Sequence, residues 1–259
     1  MAHFLSNKVN KLFLILGGFF VANAIVAEFI GIKIFSLERT LGLEPMNLSL
    51  FGVDGLGFSL TAGVLLWPVV FVMTDVINEY YGQKGVKFLS YLTVGLISYA
   101  FVMVFFAIWI SPDLWWRDVS GTLVGNEVSD MDLAFRKVFG QGLWIIVGSL
   151  VAFLVGQVID VFVFHKIKKI TGEGKIWLRA TGSTLISQFI DSFVVLIIAF
   201  YIGGDWDLVR VLAIGTVNYL YKFVMAIVLT PAIYFAHFII EKYLGKKDAE
   251  RIKKQAMHS

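Results

Sequence analysis

Cysteine is absent from the 259 residues, which excludes disulfides, thiolate catalysis and cysteine-based metal sites. Histidine is scarce. His3, His165, His237 and His258 are scattered and show no metal-ligand spacing. No HExxH, GxSxG or paired-aspartate protease signature occurs, so neither catalytic nor metal residues are expected. No apolar run carries the serial charge ladder of a voltage sensor. Polar stretches are too short for a soluble domain, which leaves no room for an ATPase or a sensor module. No cofactor is expected. Of four prolines, Pro68 and Pro231 fall inside apolar runs. There they are expected to kink helices and to free carbonyls beside a cavity.

What remains is apolar. The chain is 58% hydrophobic with a mean hydropathy of +0.79, against roughly 45–50% apolar residues in soluble domains. Twenty-four Phe and seven Trp add lipid-facing and interfacial bulk. A membrane-spanning helix needs about 20 mostly apolar residues. Six segments qualify, roughly 12–34, 58–78, 86–110, 142–164, 177–202 and 211–240. Their length selects helix, since membrane strands are about half as long. The expectation is an all-α integral membrane protein in which residues 1–259 form a single six-helix domain. The polar residues 1–11 lead into the first run without a small-residue cleavage pattern, so that run reads as an uncleaved helix rather than a signal peptide.

The cations give orientation. With the N-terminus inside, the inner segments hold Lys8, Lys11, Lys84, Lys87, Lys166, Lys168, Lys169, Lys175, Arg179 and six more in the tail, fifteen in all. The outer segments hold six, and Lys222 lies within the last span. This bias predicts cytoplasmic N and C termini. Residues 35–57 and 111–141 become outer loops. The second carries Asp113, Asp118, Glu127, Asp130 and Asp132, a Trp115-Trp116 interfacial anchor, and an amphipathic stretch at 131–139 that reads as a short surface helix. Residues 241–259 read as a basic cytoplasmic tail, a solvated helix end near anionic lipid.

Against that background, polar groups deep in the spans stand out. Gln157-Val158-Ile159-Asp160 and Gln188-Phe189-Ile190-Asp191 each put an amide and a carboxylate on one helical face. A carboxylate at such depth costs about 2.5–3.5 kcal/mol on insertion scales unless it finds a partner or water. Span two ends in Asp75, Asn78 and Glu79, again on one face, where they could simply mark the cytoplasmic water interface, Glu79 more readily than Asp75, which still has Val76 and Ile77 beyond it. Span six carries Asn218 and Lys222 one turn apart. An ammonium there needs a carboxylate, and Asp160 or Asp191 is the natural partner. Span one offers a central Asn23 and, toward its outer end, Glu28. Small residues, among them Gly17, Gly18, Ala22, Ala24, Gly148, Ser149 and Gly156, permit close helix packing. The plain structural alternative is that these polar groups glue helices together at about 0.6–2 kcal/mol each. That fits the glutamines and Ser149, Ser183 and Ser187 better than it fits two aspartates. As a set, the groups suit a neutral, planar ligand rich in hydrogen bonds, stacked on aromatics such as Phe189, Phe193, Tyr219 or Tyr221.

Four stretches carry a family likeness. They are Thr74-Asp-Val-Ile-Asn-Glu-Tyr-Tyr-Gly82, Gly148 through Asp160 with Val163-Phe-His-Lys166, Trp177 through Ser192 with Ala199-Phe200, and Asn218-Tyr-Leu-Tyr-Lys222 with Thr230-Pro231. In this order they resemble the queuosine-precursor transporter family, also called the VUT or vitamin uptake transporter family. The resemblance implies a bacterial inner-membrane importer of 7-cyano-7-deazaguanine (preQ0) or 7-aminomethyl-7-deazaguanine, salvaged for tRNA modification. It also implies a likeness to the six-helix substrate-binding membrane subunits of energy-coupling-factor transporters, without their ATPase module. By position, Asp75, Gln157, Asp160, Gln188, Asp191 and Lys222 fall on the family's recurring polar positions. The last motif often carries Asp where this chain has Asn218.

The leading expectation is therefore an importer whose substrate-binding residues are Asn23, Asp75, Glu79, Gln157, Asp160, Gln188, Asp191, Asn218 and Lys222. Asp191 and Asp160 would take the N–H edge of the base. Its expected partners are the small-molecule base and the lipid bilayer, with no nucleic acid. A homo-oligomer is compatible with the sequence. One rival is a substrate-binding subunit that needs an energising partner. An Ala-x-x-x-Ala motif in span one would favour it, and Ala22, Ala24 and Ala27 do not supply one. Another rival is an intramembrane enzyme using paired aspartates as acid and base, but no nucleophile or lipid-phosphate motif accompanies them.

Overall fold

The apolar runs are helices in the computed structural model, which describes residues 7–117, 121–123, 126–128, 130–140, 142–172 and 175–256. Asp118 of the expected acidic loop lies outside the described residues, as do residues 1–6 and 257–259. The principal helices are α1 (Lys8–Ile30), α2 (Trp67–Trp109), α3 (Met131–Phe139), α4 (Leu143–Thr171), α5 (Ile176–Leu196), α6 (Leu208–Val228), α7 (Thr230–Leu244) and α8 (Lys246–Ala256). Among the described residues, five helical stretches are long and apolar enough to cross a membrane: Lys8–Ile30, Trp67–Trp109, Met131–Thr171, Ile176–Ile202 and Leu208–Val228. The protein is thus an all-α, multi-pass membrane protein.

Short polar side chains set several helix starts. The Oδ1 atoms of Asn7, Asp130 and Asp207 accept from the backbone N–H of Val9, Leu133 and Arg210 at 2.9, 2.9 and 2.7 Å. Each satisfies a donor that the first helical turn leaves free. Pro68 does not kink a span, as was expected of it. It sits in the first turn of α2, where its missing N–H costs nothing. Before it lies a single 3-10 turn, Ala62–Leu65, and ahead of that the chain is extended. Strand β4 (Ser59–Thr61) pairs antiparallel with β1 (Ile34–Ser36), Ile34 opposite Thr61, and a second ribbon joins β2 (Leu48–Leu50) to β3 (Val53–Leu56). Glu38 fastens the first ribbon, accepting from the Phe58 N–H at 2.7 Å and the Ser36 hydroxyl at 3.0 Å. A third ribbon, β5 (Gly121–Leu123) with β6 (Asn126–Val128), lies in the longer loop.

Helix α2 runs for 43 residues, about 65 Å at about 1.5 Å per residue, roughly twice a hydrocarbon core. Gly82 resolves this. Its φ of 68° and ψ of −171° interrupt the helix in a region glycine enters freely. The two halves then lie against α1 in opposite senses. The first starts just after Gly63, which lies beside the Ala27 carbonyl, and runs down to Val76 and Tyr80, which cluster with Leu12. The second climbs back. At the turn Tyr81 meets Phe13 at 4.8 Å between ring centroids, and beyond it Leu89 lies over Gly17 and Phe101 stacks on Phe29 at 5.6 Å.

Helices α4 and α5 pack at close range because Gly148, Ala152 and Gly156 recur every fourth residue. A Cβ on Gly148 would lie 3.1 Å from the Val195 carbonyl oxygen, and one on Gly156 3.7 Å from the Asp191 Cβ. That approach is what small residues allow between membrane helices. The expected sixth run is two helices here, α6 and α7, parted at Leu229 just before Thr230-Pro231. The tail is not a solvated helix end. Helix α8 turns Ala249, Ile252 and Ala256 into the bundle, and Lys253 bonds Glu241 at 2.7 Å. Helix α8 and the start of α1 share one end, since Leu12, Ile240 and Ile252 form one apolar cluster. We refer to this as the terminal end and to the opposite one as the ribbon end.

Candidate functional site

A cavity of about 260 Å³ lies at the ribbon end between α1, α2, α4, α5 and α6. Its size is near the lower limit of small-ligand pockets, about 300 Å³. Aromatic side chains form much of the wall. Trp67 stacks on Phe71 at 6.1 Å and leans on Phe153 at 5.5 Å, Phe200 stacks on Trp206 at 4.3 Å, and Tyr221 faces them from α6. The polar lining is Glu28, Ser149, Gln188, Asp191, Ser192, Asn218 and Lys222 together with the ribbon's Ser59 and Thr61.

Two pairs organise these groups. Lys222 donates to Asp191, across from α6 to α5. Ser149 donates to Glu28, across from α4 to α1. The first pair keeps 22% and 17% of its side-chain surface open, so it faces the cavity rather than packed protein. Gln188 differs. It is 2% exposed, and among the described residues neither its Oε1 nor its Nε2 has a hydrogen-bond partner. A buried carboxamide left so costs about 1–3 kcal/mol, which marks it as built to meet something.

Gln188 also lines a smaller cavity of about 50 Å³ with Asp75, Thr184 and Thr181, sharing Trp67, Phe71, Tyr221 and Lys222 with the first. Behind it Asp160 closes the cluster. The Thr184 Oγ1 lies 3.3 Å from Asp75 Oδ2 and 3.5 Å from Asp160 Oδ1, and Ser187 Oγ lies 3.3 Å from Asp160 Oδ1. Gln157 trades hydrogen bonds with Thr74 instead, its Nε2 donating at 3.1 Å.

At the terminal end a third group is sealed. Glu79 accepts from Arg179 at 3.1 and 2.8 Å and pairs with Lys168 at 3.1 Å. Arg179 also donates to the Gly172 carbonyl at 2.8 Å. All three side chains are no more than 1% exposed. His165 pairs with Asn78 at 2.8 Å and His237 with the Tyr80 hydroxyl at 3.0 Å.

The expected site residues therefore separate into layers. Gln188, Asp191, Asn218 and Lys222 share the larger cavity, Asp75 and Asp160 lie beneath it, and Glu79 belongs to the sealed end. Asp160 lines neither cavity, so it does not stand beside Asp191 as expected. Asn23 also lines neither, and its Nδ2 donates to its own helix at the Phe19 carbonyl, 2.7 Å away. Sequence reasoning missed Arg179 and Lys168, which counted only as loop cations, and set Glu28 aside. The signal for Arg179 was its place in the stretch Trp177 to Ser192, otherwise free of cations. Of the two partners foreseen for Lys222, Asp191 holds it.

A protein-family model described as "Putative vitamin uptake transporter" matches residues 61–236, more than half of the chain. The chain belongs to this family. Relatives include a "Probable queuosine precursor transporter" of Bacillus subtilis (strain 168), 30% identical over 191 residues, covering 71% of this chain and 74% of the relative. A protein of the same description from Haemophilus influenzae (strain ATCC 51907 / DSM 11121 / KW20 / Rd) is 27% identical over 195 residues, 74% of this chain and 72% of the relative. A "Queuosine precursor transporter" of Escherichia coli (strain K12) is 26% identical over 180 residues, 68% and 72%. No solved structure matches significantly. As a member of the vitamin uptake transporter family, the protein is a membrane transporter and not an enzyme. The matched stretch takes in Asp75, Gln157, Asp160, Gln188, Asp191, Asn218 and Lys222 and leaves out Asn23 and Glu28.

Proposed function

We propose that this transporter imports a 7-deazaguanine precursor of queuosine, preQ0 or its 7-aminomethyl form, across the bacterial inner membrane. The observation that carries the reading is the larger cavity. Aromatic planes from Trp67, Phe71 and Tyr221 face groups that can read the edge of a flat base. The Asp191 carboxylate takes the two N–H donors of a guanine-like edge, as charge-assisted hydrogen bonds do best in water-poor surroundings. Gln188, with both amide atoms free, answers the base's carbonyl and ring nitrogen. Asn218 adds a second carboxamide, and Lys222 holds the Asp191 carboxylate in place. Edge recognition rests on Asp191 alone of the two aspartates first assigned to it.

The bundle is read with six crossings: α1, the two halves of α2, α4, α5, and α6 with α7. The basic residues gather at the terminal end, so that end faces the cytoplasm. The larger cavity then opens outward, and the Glu79–Lys168–Arg179 cluster closes the cytoplasmic side. The names of three relatives support the substrate class. The test is salvage in a bacterial strain that lacks both queuosine-precursor synthesis and its own importer. Expression of this protein with preQ0 in the medium restores queuosine to tRNA, and Asp191→Asn does not. Unmodified tRNA with a correctly inserted wild-type protein would overturn the proposal.

A further inference from the structure

The import reading uses the larger cavity and leaves Asp75 and Asp160 without a task. They are 3% and 2% exposed, on α2 and α4, and the hydroxyls that reach them are shared with other acceptors, Ser183 near Asp160 also donating to the Ala180 carbonyl at 3.1 Å. Thr184 has one hydroxyl hydrogen and two carboxylates within reach, at 3.3 and 3.5 Å. The single hydrogen of Ser187 is contested by Asp160 Oδ1 at 3.3 Å and the Thr184 carbonyl at 3.1 Å. Asp75 Oδ1 and Asp160 Oδ2 have no partner among the described residues.

Among the described residues no cation pairs with either carboxylate, and the Arg179 charge that acts on Asp75 is opposed by that of Glu79. Glu79, one turn away on α2, holds Lys168 and Arg179. Lys222, across the small cavity on α6, is held by Asp191. Tyr221 on the same wall is neutral, His165 is taken by Asn78, and His237 by Tyr80. Two like charges sharing a hydroxyl in an apolar interior repel strongly. One added proton removes that repulsion and turns an acceptor oxygen into a donor, which supplies the missing hydrogen. A second observation points the same way. The small cavity that Asp75 and Thr184 line has room for a water molecule. Beside Thr181, Tyr221 and Lys222, its wall includes Gln188, buried and with both amide atoms unpartnered among the described residues, which also faces the larger cavity.

We propose that the Asp75–Asp160 pair is a proton-carrying site, filled from the larger cavity past Gln188, that couples solute import to inward proton flow. The coupling rests on the import reading; the proton site does not. A proton from the cavity water joins the pair, the two aspartates hold it with Thr184 and Ser187, and it leaves to the cytoplasmic side when the closed end opens. Because Gln188 borders both cavities, a base that engages its carboxamide also alters the wall of the proton site, and this is the physical link between the two loads.

Infrared pH-difference spectroscopy on the purified wild-type protein tests the site without any solute. A protonated-carboxyl C=O band that titrates away on alkalinisation is expected, and it is lost in Asp75→Asn and in Asp160→Asn. Asn copies the shape of the protonated acid, and the band belongs to the pair only if it persists in Glu28→Gln, which removes the other deep carboxyl, the one bonded to Ser149. Absence of a titrating band, or a band unchanged in both variants, overturns the site. In proteoliposomes, an acid exterior should raise preQ0 accumulation several-fold. Asp160→Asn should abolish that accumulation while retaining exchange of labelled for unlabelled preQ0 at equal concentration. Accumulation that follows a sodium gradient and ignores the pH gradient overturns the coupling. A titrating band in a wild-type protein that moves no preQ0 supports the proton site and overturns the import reading instead.

Discussion

Glu79 and Asp191 are both carboxylates on membrane helices bonded to cations, yet they sit in opposite circumstances. Glu79 has two cations, Lys168 and Arg179, and none of the three is more than 1% exposed. Asp191 has one, Lys222, and the pair keeps 17% and 22% of its surface open to a cavity. In the first cluster every charge is answered from within the protein. Removing one member leaves a buried charge uncompensated, which is the costly case. In the second, the ion pair borders space, and a ligand can replace a partner at little expense. The difference teaches that depth in an apolar run does not by itself mark a binding residue. What marks it is a polar group whose partners leave room.

The comparison is most severely tested at the sealed end. Arg179→Ala should destabilise the fold by about 3–5 kcal/mol, read as a lower unfolding temperature and poor recovery in detergent. An Arg179→Ala protein as stable as wild type would break the contrast. Asp191→Asn should instead fold normally and bind preQ0 more weakly. A charge-assisted hydrogen bond is worth about 1.5–3 kcal/mol, or about 10–100-fold in affinity. Loss of folding without a specific loss of binding would move Asp191 into the structural class. Tyr221→Ala removes a stacking face from the cavity wall. At about 1–3 kcal/mol for a stacked base, it should weaken binding less than Asp191→Asn while leaving the pH response of uptake intact. Asn23→Ala, outside both cavities, should change stability by no more than about 0.5 kcal/mol and leave uptake at the wild-type rate. A transport defect there would show that α1 contributes a surface the cavity geometry misses.

Much of the membrane architecture could be read from the chain because lipid forces it: long apolar runs have few alternatives to helix. Lys222 was legible for the same reason. An ammonium among Phe223 to Leu229 demands a carboxylate, and Asp191 supplies it. Other features depend on contacts between runs. Pro68 reads as a kink inside a long apolar run, and only the pairing of β4 with β1 ahead of it shows a helix start instead. The break between residues 78 and 86 can be read from the chain, but not that Gly82 makes it, with a positive φ that turns α2 back along α1. Arg179 reads as a loop cation, but the Gly172 carbonyl and Glu79 enclose it. Gln157 and Gln188 occupy matching motifs yet diverge. Thr74 satisfies one, while the other faces both cavities unpaired. That divergence is set by the neighbouring helix and leaves no mark within either tetrapeptide.

The central claim is that the cavity around Asp191, Gln188 and Tyr221 holds a deazaguanine base. An equilibrium binding titration with preQ0, run side by side on purified wild type and Asp191→Asn, tests it most directly. The account predicts saturable binding by wild type, no binding of riboflavin, and an affinity for preQ0 lowered by about 10–100-fold in a folded Asp191→Asn protein. Equal preQ0 binding by both proteins, or none by wild type, would contradict it.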